Sequence, residues 1–325
     1  MEYVELGKSG FKVSVIGLGT WQIGTRLWGW GTDYNESDAI ATIHQAIDLG
    51  INFIDTAEIY GGGRSEEIIG KAIAGRRDEV FLATKVWLTN LSYDKVIKAA
   101  ERSIRRLGVD VIDLYQVHWP NPFIPIEQTM RGMEKLVKEG KVRCIGVSNF
   151  SVNQLKRAQE ALSSEEIVSN QVEYNLLNRK IERDLLPYAR QEKVTIIAYS
   201  PLAKGILTGK YAPGNIPRDL LRKVDILFSS ENLRRANKIL EVLREIAERR
   251  GKDVSQVALN WLIKEPTILA IPGAKRPQHV KVNVGATGWR LTDEEVKKID
   301  EVSSSFKPER LKSYASIPFR LLRFW

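Results

Sequence analysis

Residues 51–73 read INFIDTAEIYGGGRSEEIIGKAI. The stretch opens as an apolar, β-rich run that closes on a carboxylate, Asp55. Tyr60 follows, three glycines interrupt the chain, and an amphipathic segment begins near Ser65. A strand that only filled a core would end in turn residues, whereas this one delivers an acid to its edge. Strand then helix is a unit, and the chain repeats it. SVIGLGT (14–20) precedes ESDAIATIHQAIDLG (36–50), VFLATKV (80–86) precedes YDKVIKAAERSIRRLG (93–108), and VIDLYQVH (111–118) precedes IEQTMRGMEKLVKEG (126–140). VRCIGVSNF (142–150), IVSNQVEYN (167–175), VTIIAYSPL (194–202) and TILAIPGA (267–274) continue the beat, for eight strand–helix units in all.

Continuous Val/Ile/Leu runs indicate strands covered on both faces, hence a parallel sheet with helical crossovers. Eight such units in 325 residues predict an α/β fold of the closed (β/α)8 barrel (TIM barrel) type. No Pro/Gly/Ser-rich linker divides the chain, so residues 1–325 read as one domain. Three segments fall outside the repeat. The start, VELGKSGFKVS, suits a hairpin capping the barrel floor; a long connection spans about 201–230; and a basic, aromatic tail occupies about 306–325. Extra loops on a barrel are where substrate contacts are commonly built.

The charge balance is 49 basic against 40 acidic residues, a net +9, which would suit a polyanion. Its denser patches, such as LRRANK and RSIRRLG, are interleaved with apolar residues at helical spacing, the pattern of solvated helix faces. Nucleic acid is therefore not the expected partner. No apolar run approaches the length of a membrane span, and a single cysteine, Cys144, excludes an internal disulfide and a Cys-rich metal site. A cytoplasmic protein without a bound metal is the expectation.

Familiar phosphate and hydrolase motifs fail. GLGTWQ (17–22) begins like G-x-G-x-x-G, but Gln22 stands where the third glycine belongs. Gly7-Lys8-Ser9 resembles the end of a P-loop, yet Glu2 occupies the position of its first glycine. His44, His118 and His279 lie far apart with no HExxH, and no G-x-S-x-G occurs. What is left is position. Barrel sites form at the C-terminal ends of strands, where Asp55 ends the second apolar run, Lys85 the third and His118 the fourth. A lysine at a strand end commonly snorkels to water, a single histidine is commonly a satisfied polar group, and Tyr60 can simply pack a turn. Jointly, on consecutive strands, chance is a poor account.

An ammonium beside a phenol stabilises its phenolate and lowers a pKa that ordinarily lies near ~10. Lys85 can supply that ammonium, with Asp55 holding the lysine charged and Tyr60 acting as proton donor. A neutral His118 can orient a carbonyl oxygen beside the phenol. A carbonyl so polarised awaits a nucleophile, and hydride from a nicotinamide would serve.

These residues, together with GLGTWQIG (17–24), VDVIDLYQVHWP (109–120), GKVRCIGVSNF (140–150), NQVEYN (170–175), AYSPLAKGILTGKY (198–211) and IPGAKRPQHV (271–280), resemble the aldo-keto reductases over nearly the whole chain. The resemblance implies a barrel that binds NADPH or NADH without a Rossmann domain, and catalytic roles for Asp55, Tyr60, Lys85 and His118. It assigns Ser148, Asn149 and Gln171 to the nicotinamide carboxamide and Tyr199 to stacking on the ring. Gly19, Thr20, Trp21 and Asp55 fall near the nicotinamide ribose, and Ser200, Leu202 and Gly205 along the pyrophosphate. After the eighth strand, Ile271, Gly273, Lys275, Arg276, His279 and Asn283 fall toward the adenosine, although His279 stands where Gln or Arg is commoner in the family. Lys275 and Arg276 suit a 2′-phosphate, so NADPH is preferred and NADH possible; their plainer reading is surface charge at a helix start.

Trp21, Trp87 and Trp119 lie just beyond strand ends and can line an apolar pocket for a small-molecule carbonyl substrate, or be ordinary packed aromatics. The expected activity is NADP(H)-dependent reduction of aldehydes or ketones to alcohols. The alternative is a cofactor-binding regulatory barrel resembling potassium-channel β subunits, with little turnover. A third reading, a polyanion-binding barrel, would show strongly salt-dependent association.

Overall fold

The computed structural model describes residues 1–217 and 219–309. Strands β1 (Tyr3–Glu5) and β2 (Lys12–Ser14) form an antiparallel hairpin, with Tyr3 opposite Ser14. Eight parallel strands follow: β3 (Leu18–Gly19), β4 (Phe53–Asp55), β5 (Phe81–Val86), β6 (Ile112–Val117), β7 (Val142–Ser148), β8 (Ile167–Glu173), β9 (Thr195–Tyr199) and β10 (Ile268–Ala270), each paired with its sequence neighbour. Parallel bridges Ile16–Ala270 and Gly19–Gly273 join the two ends of the sheet, with Gly17 N donating to the Ala270 carbonyl at 2.8 Å. The sheet thus closes into the expected (β/α)8 barrel.

Helices cover its outside: α1 (Glu36–Asp48), α2 (Arg64–Ile73), α3 (Tyr93–Leu107), α4 (Ile126–Lys138), α5 (Val152–Glu160) and α6 (Leu185–Glu192). Their start signals are local. The Asn35 side chain caps α1 and that of Ser151 caps α5, each in a reciprocal capping box. The connection expected over 201–230 holds a 3-10 turn at Ala203–Thr208, the short α7 (Leu220–Lys223) and a second 3-10 turn at Ile226–Phe228, and leads into α8 (Ser230–Arg250). Helices α9 (Val254–Ile263), α10 (Pro277–Val284) and α11 (Asp293–Ser304) complete the described elements. The apolar run VSQVALNWLI is buried all round as α9, so it carries no amphipathic stripe to separate it from the preceding segment in the sequence. Residues 310–325, most of the tail read from the sequence, lie outside the described residues.

Alternation along each strand builds two cores. Phe53, Phe81, Ala83, Leu114, Cys144, Val168, Ile197 and Leu269 face inward, while Ile54, Leu82, Tyr115 and Ile145 face the helices. The same period carries polarity upward on the inner face: Phe53 to Asp55 on β4, Phe81 through Ala83 to Lys85 on β5, and Leu114 to Gln116 on β6. The floor is greasy and the ceiling charged.

The hairpin seals the greasy end, as its sequence suggested. Leu6 and Val13 are fully buried in the inner core, and Gly7 N donates to Thr195 Oγ1 at 2.7 Å. Gly7 sits at φ 56, and a Cβ there would lie 2.4 Å from the Val168 carbonyl oxygen, so the plug fits only with glycine at this position. Leu6→Ala is expected to lower unfolding stability by about 3 kcal/mol, through lost burial plus the cavity left behind. Urea denaturation followed by circular dichroism measures it, and a loss under about 1 kcal/mol would mean the plug carries little of the core's energy.

Candidate active site

At the charged end, the Lys85 Nζ is fully buried and donates to Asp55 Oδ2 at 2.6 Å, to the Thr56 carbonyl at 2.8 Å and to Tyr60 Oη at 3.5 Å. Asp55 Oδ1 accepts from Gln171 Nε2 at 2.7 Å and from Gln116 Nε2 at 3.2 Å, so both carboxylate oxygens are satisfied. Tyr60 enters from a 3-10 turn, Tyr60–Gly63, in which Gly61 has φ 58; a Cβ on Gly61 would come within 2.8 Å of the Gly24 backbone. The His118 ring meets Tyr60 edge-on, with centroids 5.6 Å apart, and meets Trp87 edge-on at 5.1 Å. Its Nδ1 is buried with no hydrogen-bond partner among the described residues.

Electrostatics departs from the sequence expectation at one point. Burial, then the Asp55 charge, then Tyr199, pushes the Tyr60 phenol well above its ordinary pKa, whereas the sequence reading had Lys85 lowering it. The reason is geometric: Asp55 neutralises Lys85 at 2.6 Å, so the phenol sees an ion pair instead of a free cation, and loses its water as well. Burial likewise lowers Lys85, although Asp55 resists. His118 is held well below 6.5, first by burial and then by Lys85, and is neutral as expected.

The residues that the resemblance assigns to the carboxamide form one hydrogen-bonded path. Tyr199 Oη donates to Asn149 Oδ1 at 3.1 Å, Asn149 Nδ2 to Ser148 Oγ at 3.0 Å, and Ser148 Oγ to the Gln171 carbonyl at 2.8 Å. Gln171 then turns its amide onto Asp55, so the path ends at Lys85 and Tyr60. Asn149 adopts φ 63, a left-handed conformation that asparagine tolerates. Thr20 is fully buried and donates to the Asp55 carbonyl at 2.8 Å, which makes it a brace of the β4 end. Gly19 and Gly273 sit on the seam that closes the barrel, and Ile271 packs in the inner core.

At the far end, Lys275 Nζ donates to the Trp28 carbonyl, lies 3.7 Å from Asp33 Oδ2 and stands 4.8 Å over the Tyr34 ring. Arg276 donates to the Asp33 carbonyl at 2.8 Å, His279 Nδ1 accepts from Lys275 N at 3.3 Å, and Asn283 is buried on α10. After Tyr199, Ser200, Ala203 and Lys204 adopt φ 49, 48 and 55, with Gly205 at φ 100, in a turn that also carries Leu202. Burial lowers the His279 pKa, and so do Lys210, Arg276 and Lys275 beside it. Cations converge here. Hydroxyl and amide groups at one end and clustered cations at the other are the donor set that a nicotinamide dinucleotide requires.

Of the three tryptophans expected near substrate, Trp87 reaches His118, while Trp119, 42% exposed, stands at the surface beside it in the chain. Trp21 packs edge-on against Trp28 at 5.0 Å. Among the described residues, no group of three or more His, Cys, Asp or Glu is arranged to hold a metal, and no helix is long and apolar enough to cross a membrane.

The Aldo/keto reductase family model matches residues 15–304. The chain belongs to the aldo/keto reductase family. It is 41% identical over 315 residues to the aldo-keto reductase YhdN of Bacillus subtilis, covering 93% of each protein. The glycerol dehydrogenase AKR11B4 of Gluconobacter oxydans superposes with a TM-score of 0.85 at 35% identity, over 97% of this chain and 98% of that one. An aldo-keto reductase of Klebsiella pneumoniae solved with NADPH superposes with a TM-score of 0.77 at 34% identity, over 95% and 96%.

Four residues around this reductase site escaped the sequence reading. Gln116 pairs with Lys85 in the strand register and was signalled by its inward spacing, two before His118. Glu58 stood inside the opening motif. Trp28 and Arg222 come from loops after β3 and β9 and meet at 5.3 Å, a contact no local pattern announces. Because native His118 refuses a proton that the unfolded chain accepts, the unfolded state binds more protons below about pH 6.5 and stability falls as pH drops through that value. Imidazole NMR, assigned through His118→Asn, should show no His118 protonation near pH 6.5 in the native protein. A midpoint there would mean that the ring is solvated.

Proposed function

We propose that the protein reduces aldehydes or ketones to alcohols, with NADPH preferred and NADH accepted, as one barrel domain acting in the cytoplasm. The observation that carries this reading is the Asp55–Lys85–Tyr60 group facing a neutral His118 at the polar end of the barrel. A bound reduced nicotinamide would supply hydride to the carbonyl carbon. Tyr60 keeps its proton because burial holds the phenol protonated, and it releases that proton to the oxygen as alkoxide character develops. Lys85, 3.5 Å from Tyr60 Oη, offsets the negative charge then left on the phenol, and Asp55 keeps Lys85 in place. His118, neutral and edge-on to Tyr60, would orient the carbonyl beside the phenol.

Ser148, Asn149 and Gln171 would hold the carboxamide, which requires Gln171 to share or exchange its bond to Asp55. Tyr199 would face the ring. Lys275 and Arg276 would take the 2′-phosphate in competition with Asp33, which supports NADPH over NADH without excluding the latter. The glycerol dehydrogenase relative makes glyceraldehyde and dihydroxyacetone natural members of a substrate panel, beside flat aromatic aldehydes that suit Trp87.

Fluorescence titration with NADPH and then NADH, followed by cofactor oxidation across that panel, tests the reading. Binding with turnover supports it; tight binding without turnover favours the regulatory barrel, and no binding sinks both. Within the same assay Tyr60→Phe should cut kcat roughly 10²- to 10⁴-fold with NADPH affinity nearly intact, because the hydroxyl acts in the transition state. Parallel loss of cofactor affinity would contradict a proton-donor role. The double variant Lys275→Ala, Arg276→Ala should weaken NADPH about tenfold more than NADH, and equal weakening would remove the 2′-phosphate assignment.

A further inference from the structure

Glu58 lies three residues after Asp55 and two before Tyr60, yet its carboxylate serves the neighbouring loop. Oε1 accepts from the Trp87 backbone N–H at 2.7 Å and from Asn90 Nδ2 at 2.9 Å, while Oε2 lies 3.3 Å from Arg102 Nη2. The Glu58 side chain is only 7% exposed, and its own backbone N donates to the Lys85 carbonyl at 3.2 Å. One residue therefore grips the chain on both sides of Val86, where β5 becomes a loop. A buried anion accepting from two N–H groups is a stiff and costly anchor to replace. From the other side, Asn121 Nδ2 donates to the Leu88 carbonyl at 2.9 Å, which ties the loop after β6 to the same short segment.

What this anchor holds is the base of Trp87, whose ring stands edge-on to His118. The geometry points to Glu58 as a positioning residue for substrate selection: its carboxylate fixes Trp87 beside His118 and so sets the apolar wall against which a flat or aromatic carbonyl lies. This rests on the carbonyl-reductase reading for its consequence, though not for the anchoring itself. Glutamine at 58 keeps an oxygen acceptor for Trp87 N–H and retains the wall. Alanine removes the acceptor and leaves the indole free to leave His118. Aspartate keeps the charge near Arg102 but is too short to reach the Trp87 N–H as glutamate does.

Two readouts test it. In protein labelled with 5-fluorotryptophan, the 19F line of Trp87, assigned through Trp87→Phe, should shift or broaden in Glu58→Ala and stay near its wild-type position in Glu58→Gln. Should the alanine variant fail to fold, Glu58→Asp should displace the line in its place. An unmoved line in a folded Glu58→Ala or Glu58→Asp protein overturns the inference whatever the turnover. In kinetics, Glu58→Ala should raise KM for an aromatic aldehyde about tenfold with a much smaller fall in kcat, and Glu58→Gln should restore it. Adding Glu58→Ala to Trp87→Ala should cost nothing further, because the first acts through the second. Additive losses would show that Glu58 acts elsewhere. Wild-type protein that binds NADPH but turns over no carbonyl would instead sink the reductase reading, and the 19F line would then decide the anchoring alone.

Discussion

Everything at the polar end depends on one buried ion pair, Lys85 with Asp55 at 2.6 Å. Removing an ammonium and a carboxylate from water costs several kcal/mol each, and their attraction offsets that only if the remaining hydrogen-bonding capacity is also met. The structure meets it from four directions: Gln116 and Gln171 on Asp55 Oδ1, the Thr56 carbonyl and Tyr60 on Lys85. Gln116 comes from β6, Gln171 from β8, and Thr56 and Tyr60 from the loop that leaves β4. A closed, all-parallel barrel is what brings strand ends β4, β5, β6 and β8 within reach of a single carboxylate, and the hairpin plug keeps water from the opposite end of the same interior.

How much of this is legible in the sequence follows from the range of each signal. An apolar run and the residue that ends it are local signals, so the polar ends of the strands at Asp55, Lys85 and His118 could be read directly, and the eightfold beat gave the barrel. The hairpin was legible for the same reason. Depth was not. The sequence shows which charges stand on neighbouring strands, but whether water reaches them is a property of the closed fold, and burial is what reverses the expected direction at Tyr60. Cross-loop pairs were equally invisible: Arg222 between Trp28 and Tyr211, or Asp33 beside Lys275, join segments with no shared periodicity.

The +9 balance also changes meaning in three dimensions. Around the start of α10 three cations are paired: Lys275 with Asp33, Arg222 with Asp219, and Lys204 with Asp225. Paired cations do not make the open field that steers a polyanion. An anion approaching them would have to outcompete carboxylates at fixed places, so its selection there would depend on geometry more than on net charge. Lys275 with Asp33 joins the segment after β10 to that after β3, and Arg222 over the Trp28 ring joins the connection after β9 to the same segment, so the three are positioned together.

The end of β5 shows why the chemistry and its selection can be separated in one short segment. Thr84 faces outward and donates to Glu66 Oε1 at 2.6 Å, with Arg106 completing that buried carboxylate. Lys85 faces inward to Asp55, and Trp87 leaves the strand under the grip of Glu58. Two consecutive anchors on opposite faces, at Thr84 and Lys85, leave the lysine over-determined by strand geometry, since a shift large enough to misplace it must break contacts on both faces of the sheet. Trp87 has only the loop anchor. Side chains that must hold an ion pair to a few tenths of an ångström stand on the strand, whereas the ring that would meet differently shaped carbonyls stands one step beyond it, where a change in Glu58 or Asn90 alters the wall and leaves the β5 side of the ion pair in place.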